Sequence, residues 1–287
     1  MPIVTQDPNV LNDWLVVGQA GKLPPTGSAA RYPAQLLGEE IELWRDSNGK
    51  VNACDRAGTR EFPAQARYGY LWVCLGQPRK PLFEFPEHAQ PGRRILDCGG
   101  IGVASSGLRV IENFLDVAHL AYVHTDYLGK EPHTEVTDYA VELNPQTDEI
   151  WVTDVHLWQP KAAVSASTDL VATYTYRVMQ PLSTMLYKTS PAHPAENDIV
   201  CLFVQPIDET NCLAYCLLAY FDDASEDKDL IAFQQTIFGQ DKPILENHHP
   251  KLMPVDGRLE TPARCDATSI AYRRWLKAKN MRFGVYG

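Results

Sequence analysis

Long apolar runs are missing from this chain, and none approaches the length needed to cross a bilayer. A basic start followed by an apolar stretch is missing too. Residues 1–14, MPIVTQDPNVLNDW, therefore predict no secretory leader. Positive charge is in deficit: 26 Lys and Arg against 36 Asp and Glu leave a formal net charge of −10. Such a surface disfavours a phosphate backbone, which argues against a nucleic-acid ligand. Cysteine is present but unorganised. The seven residues, at 54, 74, 98, 201, 212, 216 and 265, are odd in number and include no C-x-x-C pair. That excludes a disulfide framework and predicts reduced thiols in a cytoplasmic protein. The nearest pair, Cys212 and Cys216 in CLAYCLLAY, reads as part of a buried strand. Histidine is scarce as well, and only His88 precedes residue 119. Internal repeats and low-complexity tracts are absent.

What is there is an ordinary globular composition, 45% apolar and 22% charged over 287 residues. That length predicts two domains with ample core. Residues 11–76 read as β structure. EIELWRDSNGKVNAC is a hairpin turning at Asn48-Gly49, and YGYLWVCLG is a further strand. The proline-rich, charged segment 77–94 reads as a linker, which sets the expected domains at 1–94 and 95–287. Residues 112–126 read as helical. Six strand-like runs between 134 and 221 then suit an antiparallel sheet, and helices are expected over 225–247 and near the C-terminus, capped near Asp266 or Thr268. The expected class is α+β, with the second domain a curved antiparallel sheet covered by helices.

One short stretch carries chemistry. ENFLDVAHLAYVH, residues 112–124, places Asp116 three residues before His119 and His124 five after it. Two imidazoles and a carboxylate are a usual ligand set for non-haem Fe(II) with open positions. A five-residue spacing sits about 140° around an ideal helix, so both rings reach one ion only if the helix widens, as in a π-type turn. Asp116, one turn earlier, is placed to accept the ring N–H that His119 does not use on a metal. His248-His249, followed by Pro250, reads instead as a helix end favouring partial positive charge.

With Asn113 included, the stretch resembles the N-x-x-D-x-x-H-x-x-x-x-H motif of the Rieske-type non-haem iron oxygenases. LLGEEIELWRDSNGKVNACDR and YGYLWVCLGQP are similar to strands that frame that family's N-terminal Rieske domain. The resemblance covers most of the chain. It implies a degenerate Rieske-like β domain followed by a helix-grip catalytic domain, a curved antiparallel sheet with a long C-terminal helix. It further implies His119 and His124 as iron ligands, Asn113 beside the iron, and Asp116 as the bridge toward the electron donor. For the third ligand, FGQDKPILENHHP resembles the family segment in which an Asp-Lys pair opens a helix, pointing to Asp241. Asp266 in RCDATSIAYRRWL is the alternative.

The departure from the family is as informative as the match. A Rieske domain holds its [2Fe–2S] cluster through C-x-H and C-x-x-H pairs, and neither Cys54 nor Cys74 has a histidine two or three residues on. No [2Fe–2S] cluster is therefore expected in this chain, and its electrons must come from another polypeptide. The chain resembles the methylxanthine N-demethylase branch of the family. That likeness implies O₂-dependent removal of an N-methyl group, the N7 methyl of a purine, as formaldehyde. It also implies a partner reductase that carries NADH, flavin and Rieske chemistry, a glutathione-S-transferase-like partner, and a trimer-based assembly. Trp151, Trp158, Tyr174 and Tyr176 are candidates to stack on a planar substrate, though core packing is the commoner use of such residues. The competing expectations are a non-catalytic scaffold subunit, and an O-demethylase or ring hydroxylase on the same fold.

Overall fold

A computed structural model describes residues 5–256 and 259–286. The expectation of no leader rests partly on residues 1–4, which lie outside the described residues. After a short helix α1 (Pro8–Leu11), two small antiparallel sheets form. One holds β1 (Leu15–Gln19), β7 (Tyr70–Val73) and β6 (Ala64–Arg67), in that order. The other runs β2 (Tyr32–Leu36), β3 (Glu39–Arg45), β4 (Val51–Asp55), β5 (Glu61–Phe62). The predicted hairpin is β3–β4. Asp46 Oδ1 accepts from the Asn48 and Lys50 amides at 2.9 and 3.0 Å, and Gly49 takes the positive φ (+80°) that the turn demands.

The turn from β4 to β5 is short. The Asp55 carboxylate accepts from the Thr59 amide and hydroxyl, both at 2.7 Å, and from the Arg60 amide at 3.1 Å. A chain held this tightly passes straight from one strand to the next and leaves no loop there to carry ligands. The 77–94 segment is packed rather than free: Leu82, Phe83 and Phe85 are buried, and the Tyr68 hydroxyl donates to Phe83 O and accepts from Phe85 N, each at 2.9 Å.

The large sheet is seven-stranded and antiparallel, in the order β8 (Arg94–Val103), β14 (Cys212–Tyr220), β13 (Asn197–Pro206), β12 (Ser183–Thr189), β11 (Leu170–Gln180), β10 (Glu149–Gln159), β9 (Ala140–Asn144). Its interior strand β13 explains why the sequence there is continuously apolar rather than alternating. Ile199, Cys201 and Phe203 pack with Trp72, Phe83 and Met185, while Val200, Leu202 and Val204 belong to the core that includes the helices. Both faces are covered, so both sets of side chains must be apolar. The edge strand β9 starts later than the sequence pattern suggests, at residue 140 instead of 134.

Four helices complete the helical face: α2 (Gly107–Leu115), α3 (Leu120–Val123), α4 (Asp227–Asn247) and α5 (Ala267–Ala278). α2 packs on β13 and β14 and against α4 and α5, and α4 lies along β8. Two residues each of β15 (Met253–Pro254) and β16 (Val285–Tyr286) pair in parallel near the C-terminus. Among the described residues no helix is long and apolar enough to cross a membrane.

Candidate metal centre

α2 begins at Ser106, whose Oγ accepts from the Leu108 amide at 3.3 Å, and buries Leu108, Ile111 and Leu115 along one stripe. It stops at Asp116. The expected π-type widening of a single helix over 112–126 does not occur. Asp116 adopts an extended backbone (φ −75°, ψ 124°), and its Oδ1 accepts from the Ala118 amide at 2.9 Å. A short acidic side chain that bonds the backbone two residues on competes with helix propagation, and here it prevails. The chain then turns and restarts as α3, with His119 immediately before that helix and His124 immediately after it. The five-residue spacing is met by a break.

The break brings the two rings together. His119 Nε2 and His124 Nε2 are 3.2 Å apart. Asp241 Oδ1 lies 3.4 Å from the first and 3.1 Å from the second. Asp241 sits well inside α4, the helix expected over 225–247, and does not open a helix as the family resemblance implied. The buried residues of α4 are Leu230, Ile237, Phe238, Asp241 and Leu245, a single helical stripe that a carboxylate interrupts. A buried carboxylate must be compensated. Yet Oδ1 of Asp241 is buried and accepts no hydrogen bond of good geometry. Ligands about 2.1 Å from one ion, at angles between octahedral and tetrahedral, stand about 3.0 to 3.4 Å apart. The three separations fall in that interval, so the donor set fits a small divalent cation. Among the described residues this is the one cluster of three or more His, Cys, Asp or Glu side chains with such convergence.

The outer nitrogens of both rings are also engaged. His119 Nδ1 is 3.3 Å from Asp116 Oδ2, and His124 Nδ1 is 2.8 Å from Gln240 Oε1. Burial alone would raise the Asp241 carboxyl, but its contacts with the two histidines outweigh burial and hold it at about 2. Burial would lower His119, but Asp116 and Asp241 lift it to about 9. Asp116 is likewise held low by His119 against the effect of burial. This is a negative field that attracts a cation.

A cavity of about 480 Å³ opens beside the cluster, lined by Asn113, Asp116, His119, Val123, Ile244 and His248 among others. Its wall includes a closed ring of four charges. Arg109 meets Glu112 at 3.0 Å and Glu260 at 2.6 Å, and Arg273 meets both carboxylates at 2.5 Å. Asp266 also lines the cavity, but its Oδ2 accepts from the Ala263 amide at 2.6 Å, ahead of α5, and it does not join the histidines. His248 caps the C-terminal end of α4, as its sequence context suggests.

None of the four candidate aromatics lines this cavity. Trp151 stacks on Tyr187 (6.4 Å), and Trp158 meets His133 with the rings tilted (4.2 Å). Tyr174 accepts from Gln159 Nε2 at 2.7 Å, and Tyr176 meets the edge of Phe114 at 5.9 Å. Sequence reasoning misses Gln240. An amide on a partly exposed helix is ordinary by itself, and the only signal is its place next to Asp241.

An antiparallel sheet covered by helices that bring two imidazoles and one carboxylate to a single point is a scaffold able to hold one metal ion. Residues 103–280 match the vanillate O-demethylase oxygenase C-terminal domain. The chain is 44% identical to a probable methylxanthine N7-demethylase, NdmC, of Pseudomonas sp. (strain TJI-51), over 96% of each protein. Among solved structures it resembles Pseudomonas putida CBB5 NdmA with caffeine (TM-score 0.76, 18% identity, 95% of this chain and 92% of that one). It also resembles dicamba monooxygenase bound to dicamba (TM-score 0.73, 15% identity, 94% and 97%). The chain belongs to the vanillate O-demethylase group of the Rieske-type non-haem iron oxygenases, and it is an oxygenase.

Proposed function

We propose that this chain is the O₂-using component of an N-demethylase acting on a methylxanthine, with 7-methylxanthine the first substrate to test. In this reading His119, His124 and Asp241 hold Fe(II), Asn113 lines the site, and Asp116 is where electrons enter. The observation that carries it is the convergence of three donor atoms at mutual distances of 3.1 to 3.4 Å, one of them an orphaned carboxylate oxygen. The name of the 44% identical relative supports the substrate class.

Iron held there by His119, His124 and Asp241 would supply O₂ activation, a chemistry that takes two electrons and two protons and would put one oxygen atom into the N-methyl C–H bond and the other into water. The resulting N-hydroxymethyl group collapses to formaldehyde and the N–H base. The protein's own residues orient and insulate. Asp116 keeps the His119 proton on Nδ1, which turns Nε2 inward. His124, 1% exposed, keeps its side of the centre dry. Asp116, with a side chain 30% exposed in the cavity wall, is the member of the cluster that a partner can approach.

Since no Cys–His pairs precede residue 119, we assign electron supply to a separate reductase bearing a Rieske domain, with NADH and flavin upstream. A cytoplasmic location, a trimer-based assembly and a glutathione-S-transferase-like partner belong to the same proposal, as does a working boundary between residues 94 and 95. The match to an O-demethylase family supports a second reading, removal of an O-methyl group.

The test is iron and acid-labile sulfide per chain after anaerobic loading, followed by formaldehyde release with a Rieske-bearing reductase and NADH. One iron, no sulfide, and formaldehyde from 7-methylxanthine are expected. Stoichiometric sulfide or no bound iron would overturn the proposal, and formaldehyde from vanillate alone would select the second reading.

A further inference from the structure

On the iron-centre reading above, we propose that Gln240 is a positioning residue for His124. It fixes the ring's tautomer and direction with a neutral acceptor, and so confines anionic support of the ligands to the His119 side. An Nε2 that gives its lone pair to a cation leaves the proton on Nδ1, and that N–H needs an acceptor. Gln240 Oε1 stands 2.8 Å from His124 Nδ1. The ring is 1% exposed, so removing the amide costs its Nδ1–H the acceptor it has in the fold.

The source of the acceptor matters. Gln240 immediately precedes Asp241, and consecutive helical residues project about 100° apart. One approaches the ring at Nδ1 and the other at Nε2, so His124 is gripped at both nitrogens by neighbours on one helix. α4 thus sets the place of Asp241 and the aim of His124 together.

The two histidines also differ in what stands behind them. His119 is backed by the carboxylate of Asp116 at 3.3 Å, and His124 by an amide. A carboxylate behind a ring raises its basicity as a ligand, whereas an amide orients without adding charge. The pair is therefore chemically unequal although both members are imidazoles. A third carboxylate at 240 would cancel that inequality.

Co(II) alone, titrated into the metal-free full-length chain and followed by its d–d absorption, tests this without turnover. Wild type should bind one Co(II). Gln240→Leu should bind it about 10- to 100-fold more weakly. Gln240→Glu matches glutamine in shape and keeps an acceptor, so it should bind at least as tightly as wild type, with shifted d–d bands from the added charge. A wild-type chain that binds no Co(II) overturns the iron-centre reading and this assignment with it. A wild type that binds while Gln240→Leu shows the same affinity and bands overturns the role of Gln240 alone. So does equal weakening by both substitutions, which would mark a packing role. If Gln240→Leu does not fold, Gln240→Glu decides alone: unchanged affinity and unchanged bands overturn the role.

Discussion

The four-charge ring in the cavity wall makes a quantitative prediction. Arg109 is 2% exposed and touches Glu112 and Glu260, whose side chains are 9% and 35% exposed. Glu112 also holds Arg273, so it is the buried corner through which both arginines are neutralised. Glu112→Gln keeps the shape and removes the charge. Breaking a buried pair costs about 3 to 5 kcal/mol, and the remaining Glu260 contact sets the lower end, about 3 kcal/mol. An unfolding entropy of about 2.1 cal/mol/K per residue, over 287 residues, gives about 0.6 kcal/mol/K, so Tm should fall by about 5 °C. Glu260→Gln acts at the wetter corner, where pairs contribute about 1 kcal/mol or less, and should cost about 2 °C at most. Scanning calorimetry at low salt and at about 0.5 M NaCl separates the two, because salt screens the exposed corner and leaves the buried one. Equal losses at the two glutamates, or a loss under about 2 °C for Glu112→Gln, would refute the burial argument. An Arg109→Met/Glu112→Leu double substitution should recover most of the loss, since it leaves one charge fewer stranded.

Two other perturbations have definite signs. Asp116→Asn preserves an acceptor for the Ala118 amide, so the helix break and the fold should persist, while the charge behind His119 is lost. Metal content should change less than about tenfold, whereas reductase-driven formaldehyde release should drop about 10- to 100-fold, and undiminished turnover would remove Asp116 from the electron route. Burial pushes the Asp13 carboxyl up to about 6 despite nearby Lys80 and a bond from Gln180. A folded-state value above the unfolded one means the folded chain holds more protons between about pH 4 and 6. Asp13 therefore destabilises progressively as pH rises through that window, and fully above it. Asp13→Asn should raise Tm clearly at about pH 8 and less at about pH 5, and a gain that is larger at the lower pH would contradict the sign.

Much of this architecture is legible from local pattern, and the remainder fails for identifiable reasons. The β3–β4 hairpin follows from Asn48-Gly49, and the antiparallel sheet follows from alternation and turn residues. The proximity of His119 and His124 is foreseeable because both lie within one short segment. The means is not, since periodicity records helix propensity but not the competition between the Asp116 side chain and the Ala118 amide. Asp241 can be picked out by likeness to a known segment. That likeness places Asp241 at a helix start, whereas the helical pattern over 225–247 runs through it, as α4 does, with Pro243 in its interior. Gln240 meets a histidine 116 residues away, and no local pattern reports such a meeting. The cavity draws its walls from α2, the end of α4, Val255, residues 260–262 and α5, so only the assembled fold brings it into being.

The cluster is sealed on one side and open on the other. His124 is 1% exposed, while the side chains of His119 and Asp116 are 14% and 30% exposed toward the cavity. Among the described residues, the exposed approach to the cluster runs past His119. A chelator, a competing ion or a small diatomic probe taking that approach makes exchange at this centre a matter of kinetics as much as affinity. A protein seated over that mouth would slow the loss of metal without touching any ligand, so the lifetime of a loaded chain would depend on the company it keeps.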